Sequence, residues 1–111
     1  MDLRDIPWSK TEKDIARKIF DKAYLREIDQ IHSEVLNSIT KYKEPKDIWK
    51  LHDYLTQKRE EIDLKYDYRY SVLITVFSRL YREGLIKYEE LIGLSEEKLN
   101  KIKAIAEIMK T

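Results

Sequence analysis

The chain has no cysteine among its 111 residues, which excludes disulfide staples, thiolate metal sites and a cysteine nucleophile. Only two glycines and two prolines occur, too few for the many tight turns of a β-sandwich or barrel. No apolar run approaches the ~20 residues that a membrane span requires, and the opening Met1-Asp2-Leu3-Arg4-Asp5 is charged, unlike a secretory leader. Membrane insertion is therefore not expected, and the cytoplasm is the expected compartment. An excess of one charge is missing too. Residues 1–50 carry 11 basic and 10 acidic groups, and residues 51–111 carry 11 of each. A nucleic-acid binder normally shows a net-positive footprint that neutralises phosphates; none is expected here.

What the chain does have is charge in quantity, 39% of residues, beside 42% apolar residues. That balance suits helices with one buried and one heavily solvated face. Ser9 and Glu12 form an S-x-x-E capping box just after Pro7 and Trp8. Helical periodicity follows at once: Ile15, Ile19 and Ala23 step by four, and Tyr24, Ile28, Ile31, Val35, Ser38 and Tyr42 step 4-3-4-3-4. The second run has the spacing of a packed helical seam. Pro45 sets the limit, because proline disfavours the α conformation of the residue before it. A helix from Ser9 to Lys43 would extend ~50 Å at ~1.5 Å per residue, whereas a compact domain of this size has a radius of gyration near ~13 Å. The helix must overhang its own domain, and an overhanging apolar seam is most simply covered by a second copy. A homodimer built on the long helices is expected.

A second helix is predicted from Pro45 or Lys46, where proline is tolerated in the first turn, with Ile48, Leu51, Leu55 and Ile62 as its buried stripe. Asp67 to Glu83 contains the β-branched run Val72 to Phe77, which reads equally as a buried strand. The lack of a partner strand, Arg79 and Arg82 near the end, and Gly84 just past it favour a helix. A short helical turn over Tyr88 to Leu91 and a terminal helix follow. The latter has Ser95 as N-cap, Glu96 and Glu97 in its first turn, and Leu99, Ile102, Ala106 and Met109 as its apolar face.

The side chains with most to offer chemically lie on the second helix. A 100° step per residue sets Trp49, His52, Asp53, Thr56 and Arg59 along one side, next to the apolar stripe. Trp and Arg are the residues most enriched among binding hot spots. The plainer alternative is that Trp49 packs inward and the charges are ordinary solvated groups of little energetic worth. Catalysis is poorly supported: His52 and Asp53 are adjacent, so they do not face each other on a helix, and no nucleophile is paired with them. No catalytic residue is assigned. A metal site fares no better, since neither His32 nor His52 has a second histidine at i+4. Tyr24, Tyr42, Tyr66 and Tyr70 lie on expected packing faces, which explains them better than cofactor stacking.

Taken together, Pro7-Trp8-Ser9, Arg17 to Tyr24, Ile48-Trp49-Lys50-Leu51-His52-Asp53-Tyr54-Leu55, Lys58-Arg59-Glu60-Glu61-Ile62-Asp63 and Lys65-Tyr66-Asp67 resemble the cyanobacterial fluorescence recovery protein family. So do Gly84, Leu91-Ile92-Gly93-Leu94 and the stretch from Lys98 to Ala104. The resemblance is nearly gap-free over most of the chain, and Trp-x-x-His-Asp with Arg six residues later is its most specific part. It implies an all-α fold: a long N-terminal helix forming an antiparallel dimer, then a second helix and a compact helical head. Residues 9–64 would make the extended dimerisation helices and 65–111 the head. It implies no enzymatic activity and no cofactor, because the carotenoid belongs to the partner. That partner would be the photoactivated orange carotenoid protein (or a homologue), bound chiefly through its C-terminal domain and returned faster to its resting orange form, so that phycobilisome quenching ends. Carried over by position, the partner-binding residues are Trp49, His52, Asp53 and Arg59 with Thr75 and Lys101 in the head; the dimer contacts are Ile28, Ile31, His32, Val35 and Ile48. Thr75 stands where cyanobacterial members carry an aromatic, and His32 where they carry an apolar dimer contact. The alternative reading is a family relative in a bacterium without phycobilisomes, a dimeric helical module for another protein.

Overall fold

The computed structural model describes residues 2–109, which form five α-helices after a single 3-10 turn at Leu3–Asp5. Helix α1 spans Lys10–Thr40, α2 Pro45–Lys65, α3 Leu73–Arg82, α4 Tyr88–Leu91 and α5 Glu96–Met109. The chain measures 54 × 23 × 22 Å with a radius of gyration of 16.8 Å, well beyond the ~13 Å of a compact domain of this length. The excess comes from α1, whose first half is built into the head while its second half projects as one arm of a helical hairpin.

The predicted capping box starts α1. Ser9 Oγ accepts from the Glu12 backbone N–H at 3.1 Å, and Glu12 Oε1 accepts from the Ser9 N–H at 3.0 Å. Its end falls at Thr40, three residues before the expected Lys43. The Lys41 N–H already bonds back to Asn37 and Ile39, and Asp47 Oδ2 captures the N–H groups of Lys43 and Glu44 at 3.0 and 3.2 Å for the start of α2. Helix α2 then returns along α1, bringing Ile62 beside Tyr24 and Ile28 and Lys65 onto Glu27.

The ambiguous β-branched run is helical, but only from Leu73; the expected helical start at Asp67 is not observed. Residues 67–72 are instead irregular because their tyrosines pack across α1. The Tyr68 ring lies 4.9 Å from Phe20 and 5.7 Å from Tyr70, which in turn lies 5.9 Å from Trp8. Helix α3 is the centre of the head, with Leu73, Ile74, Val76, Phe77, Ser78 and Leu80 all buried and Thr75 facing outward. Around it pack Ala16, Ile19 and Ala23 of α1, Leu85, Ile86, Leu91 and Leu94 of the connections, and Ile102 of α5. Gly84, at φ +78°, ends α3 in the left-handed conformation the sequence suggested. Gly93, at φ +114°, brings the α4–α5 connection so close to α1 that a β-carbon there would stand 2.5 Å from Ile15 Cδ1.

Buried charges join these pieces. Glu12 serves two helices at once: its Oε2 also accepts from the Ser95 N–H at 2.8 Å, at the head of α5. Lys98, only 3% exposed, donates to Glu12 Oε1 at 3.1 Å and to the Pro7 carbonyl at 2.7 Å, with its ammonium 4.9 Å from the Trp8 ring. Burial alone would raise the Glu12 carboxyl. The Ser9 and Ser95 N–H groups and the Lys98 ammonium outweigh it and hold the group below the usual carboxylate range. On the other side of the head, Arg26 donates to both oxygens of Glu90 at 2.6 and 2.7 Å and to the Leu85 carbonyl at 2.9 Å.

Two outcomes are expected. Glu12→Ala strands the buried Lys98 ammonium and uncaps two helices, and should lower unfolding stability by about 3 kcal/mol or more in urea titrations. Arg26 lowers the Glu90 carboxyl from 4.5 to about 2. A depressed carboxylate stabilises fully above its unfolded value, and that contribution fades as pH falls from 4.5 toward 2. Urea midpoints followed by circular dichroism should therefore drop across this window, and Glu90→Gln should flatten the drop while lowering stability at neutral pH.

Candidate interaction site

Of the 21 residues in α2, only Ile62 and Lys65 are buried. The rest of the helix is open on its outer side. The sequence-predicted stripe is thus only partly enclosed within one chain: Leu51 is half-buried, whereas Ile48 and Leu55 remain exposed. The seam of α1 behaves alike. Ile28, Ile31, Val35 and Ser38 are half-buried, His32 is exposed, and Tyr24 and Tyr42 are exposed despite lying on the expected packing faces. Tyr70 is also exposed, and of the four tyrosines assigned to packing only Tyr66 is substantially covered. Leu36 and Ile39 add to this uncovered apolar surface near the tip of the hairpin.

Trp49 is 66% exposed, so the inward-packed alternative does not describe it. Its ring meets His52 edge-on at a centroid distance of 6.2 Å. His52 Nδ1 lies 3.5 Å from Asp53 Oδ1, closer than adjacent helical positions suggested but at the outer limit of a hydrogen bond, with both side chains in solvent. Arg59 extends beside Asp63, Nε to Oδ2 3.8 Å, on the i,i+4 spacing. Leu55, Arg59 and Asp63 form a ridge between two hollows. One, of about 390 Å³, is completed by His52, Thr56 and Glu60. The other, of about 420 Å³, opens toward α1 and is walled by Tyr24, Ile28, Ile31 and Ile62, with Lys58 at its rim. A planar guanidinium therefore stands between two open hollows, each lined by both apolar and charged side chains, an arrangement suited to gripping another protein's surface.

The structure thus brings Trp49, His52, Asp53 and Arg59 onto one helix face. Thr75 and Lys101 stand on α3 and α5 of the head, where Thr75 is exposed and Lys101 is half-buried with Nζ 4.0 Å from Glu97 Oε1. Asp63, which flanks Arg59, was not singled out by sequence reasoning; its signal was the i,i+4 spacing. Among the described residues no three His, Asp or Glu side chains gather in a way that would hold a metal ion. No helix of the described chain is long and apolar enough to cross a membrane.

A helical hairpin on a helical head, with its distinctive side chains displayed on an open face, defines a protein that works through its surface. Comparison with known proteins gives that class a family. Residues 8–106 match the family described as photoprotection regulator fluorescence recovery protein. The fluorescence recovery protein of Synechocystis sp. is 46% identical over 104 residues, covering 94% of this chain and 95% of that protein. Its solved structure superposes with a TM-score of 0.87 at 48% identity, over 91% of this chain and 99% of the other. The Fremyella diplosiphon fluorescence recovery protein gives 0.86 at 44% identity with the same coverage. The chain belongs to the fluorescence recovery protein family, a family of photoprotection regulators.

Because Trp49 is displayed and not packed, its removal should leave the fold intact. Trp49→Ala is expected to change unfolding stability by less than about 0.5 kcal/mol, measured by urea denaturation. A loss of several kcal/mol would place Trp49 in a buried interface.

Proposed function

We propose that the chain is a non-enzymatic, cytoplasmic homodimer that binds the photoactivated orange carotenoid protein, chiefly at its C-terminal domain. Binding accelerates the partner's return to the resting orange form and so ends phycobilisome quenching. The observation that carries this reading is the exposed Trp49, His52, Asp53 and Arg59 face, set in a chain that matches the family over residues 8–106. A regulator of this kind makes and breaks no covalent bond. It must bind the activated form or an intermediate more tightly than the resting form, because equal affinity for both would shift nothing.

Dimerisation answers the surface left open by the hairpin. Ile28, Ile31 and Val35 are half-covered in one chain, and Leu36, Ile39, Tyr42 and Ile48 are exposed nearby. An antiparallel pairing of two α1 helices would bury this band, with His32 inside or beside it. Within the head, Thr75 offers less contact area than an aromatic at the same position, which predicts a weaker effect than that of members carrying one.

Two measurements test this. Ile31→Glu would bury an unpaired carboxylate in the pairing and should weaken association by several kcal/mol; sedimentation of the parent as a monomer at tens of micromolar (roughly where weak interfaces dissociate) contradicts the dimer. In a recovery assay, purified orange carotenoid protein should return from red to orange faster with the chain present. Arg59→Lys should lose most of the acceleration with helicity and dimer intact, because lysine cannot reproduce the planar five-donor fork. Thr75→Phe should strengthen it. No acceleration by the parent at saturation, across several orange carotenoid proteins, transfers the role to a different protein partner.

A further inference from the structure

The joint between hairpin and head is a buried ion cluster. Lys65, the last residue of α2, is 5% exposed and uses all three ammonium hydrogens. It donates to Glu27 Oε1 and Oε2 of α1 at 2.9 and 2.8 Å and to Glu83 Oε1, just past α3, at 2.7 Å. Tyr66 OH donates to Glu27 Oε1 at 2.8 Å, its ring held between Phe20 and Tyr24 at 5.4 Å from each. Arg79 and Arg82 reach Glu83 Oε2 at 2.9 and 3.4 Å. Three helices thus meet on one ammonium group. Little else fixes α2, since Ile62 is its only other buried residue and open hollows flank its packing on α1. Its covalent tie to the head is the irregular segment 66–72.

We propose that Lys65 is a positioning residue for partner binding: the clamp between Glu27 and Glu83 sets α2 against the head so that the Arg59 face and the Thr75–Lys101 surface engage one partner together. This rests on the orange carotenoid protein reading above. The physical reason is selectivity of arrangement. A buried ion pair adds little net stability over an apolar contact, but any shift of α2 that separates Lys65 from either carboxylate leaves buried charge unpaired. Without the clamp, α2 samples several placements and only a fraction can bind. Apparent affinity then falls by that fraction, while the fully bound complex is unchanged.

The test compares the parent with Lys65→Met and with the double variant Lys65→Met/Glu27→Gln, which, if the single variant folds poorly, removes the buried Glu27 charge as well and leaves Glu83 paired with Arg79 and Arg82. The chain lacks cysteine, so spin labels go on cysteines introduced at the exposed Glu60 of α2 and Asn100 of α5. Dilution into excess unlabelled protein restricts the signal to pairs within one chain. The parent should give one narrow distance distribution and the variants a broad one. In the recovery assay the concentration for half-maximal acceleration should rise about ten-fold, for a competent fraction near a tenth, with the rate at saturation unchanged. A merely structural role would instead lower helicity or the saturating rate. A narrow distribution in the double variant, or an unshifted half-maximal concentration, overturns the inference. A parent that does not accelerate recovery sinks the partner reading and the positioning role with it, whereas an active parent with an indistinguishable variant sinks the positioning role alone.

Discussion

The arrangement of this chain depends on Lys65 being taken out of water between Glu27 and Glu83. Helices this rich in charge have too little apolar surface for burial alone to fix how they lie on one another. In α2 the difficulty is acute, with Ile62 and Lys65 the only buried residues. A buried ammonium satisfied by two carboxylates from different helices resolves it by penalising every other register. The Glu12–Lys98 contact does the corresponding task at the far side of the head, tying the start of α1 to the start of α5. Both clusters join α1 to later parts of the chain, so α1 serves as the spine on which the rest is indexed.

That economy has a functional side. Because α2 is held by its last turn, its outer face carries no packing duty and stays open along most of its length. Trp49, His52, Asp53 and Arg59 occupy this free face. The apolar band at the hairpin tip is free for the same reason, and it is the surface the proposed dimer would cover. Head and hairpin therefore divide the work: the head supplies a conventional core around α3, and the hairpin supplies surface.

Local signals in the sequence carried far. The capping box at Ser9 and Glu12, proline at the start of α2, Gly84 after α3 and Ser95 before α5 each report a backbone requirement met within a few residues, and each stands where it was expected. The outer face of α2 was legible by the same geometry. What could not be read was set by distant contacts. Residues 67–72 are irregular because Tyr68 and Tyr70 find Phe20 and Trp8 across α1. The roles of Lys65 and Lys98 were invisible for a different reason. A charged residue is expected in solvent, and the carboxylates that permit burial, Glu27 and Glu12, are separated from them by 38 and 86 positions. Periodicity located Ile48 and Leu55 on an apolar stripe, but it does not say whether the stripe is covered within one chain or by another.

In the proposed function, this protein acts by distinguishing two states of its partner through an exposed surface. The most direct measurement is a calorimetric titration of the chain into orange carotenoid protein held in the dark and under continuous illumination. Markedly tighter binding to the illuminated form, abolished by Arg59→Lys, is the predicted result. Equal affinity for the two forms, or preference for the resting one, would contradict it.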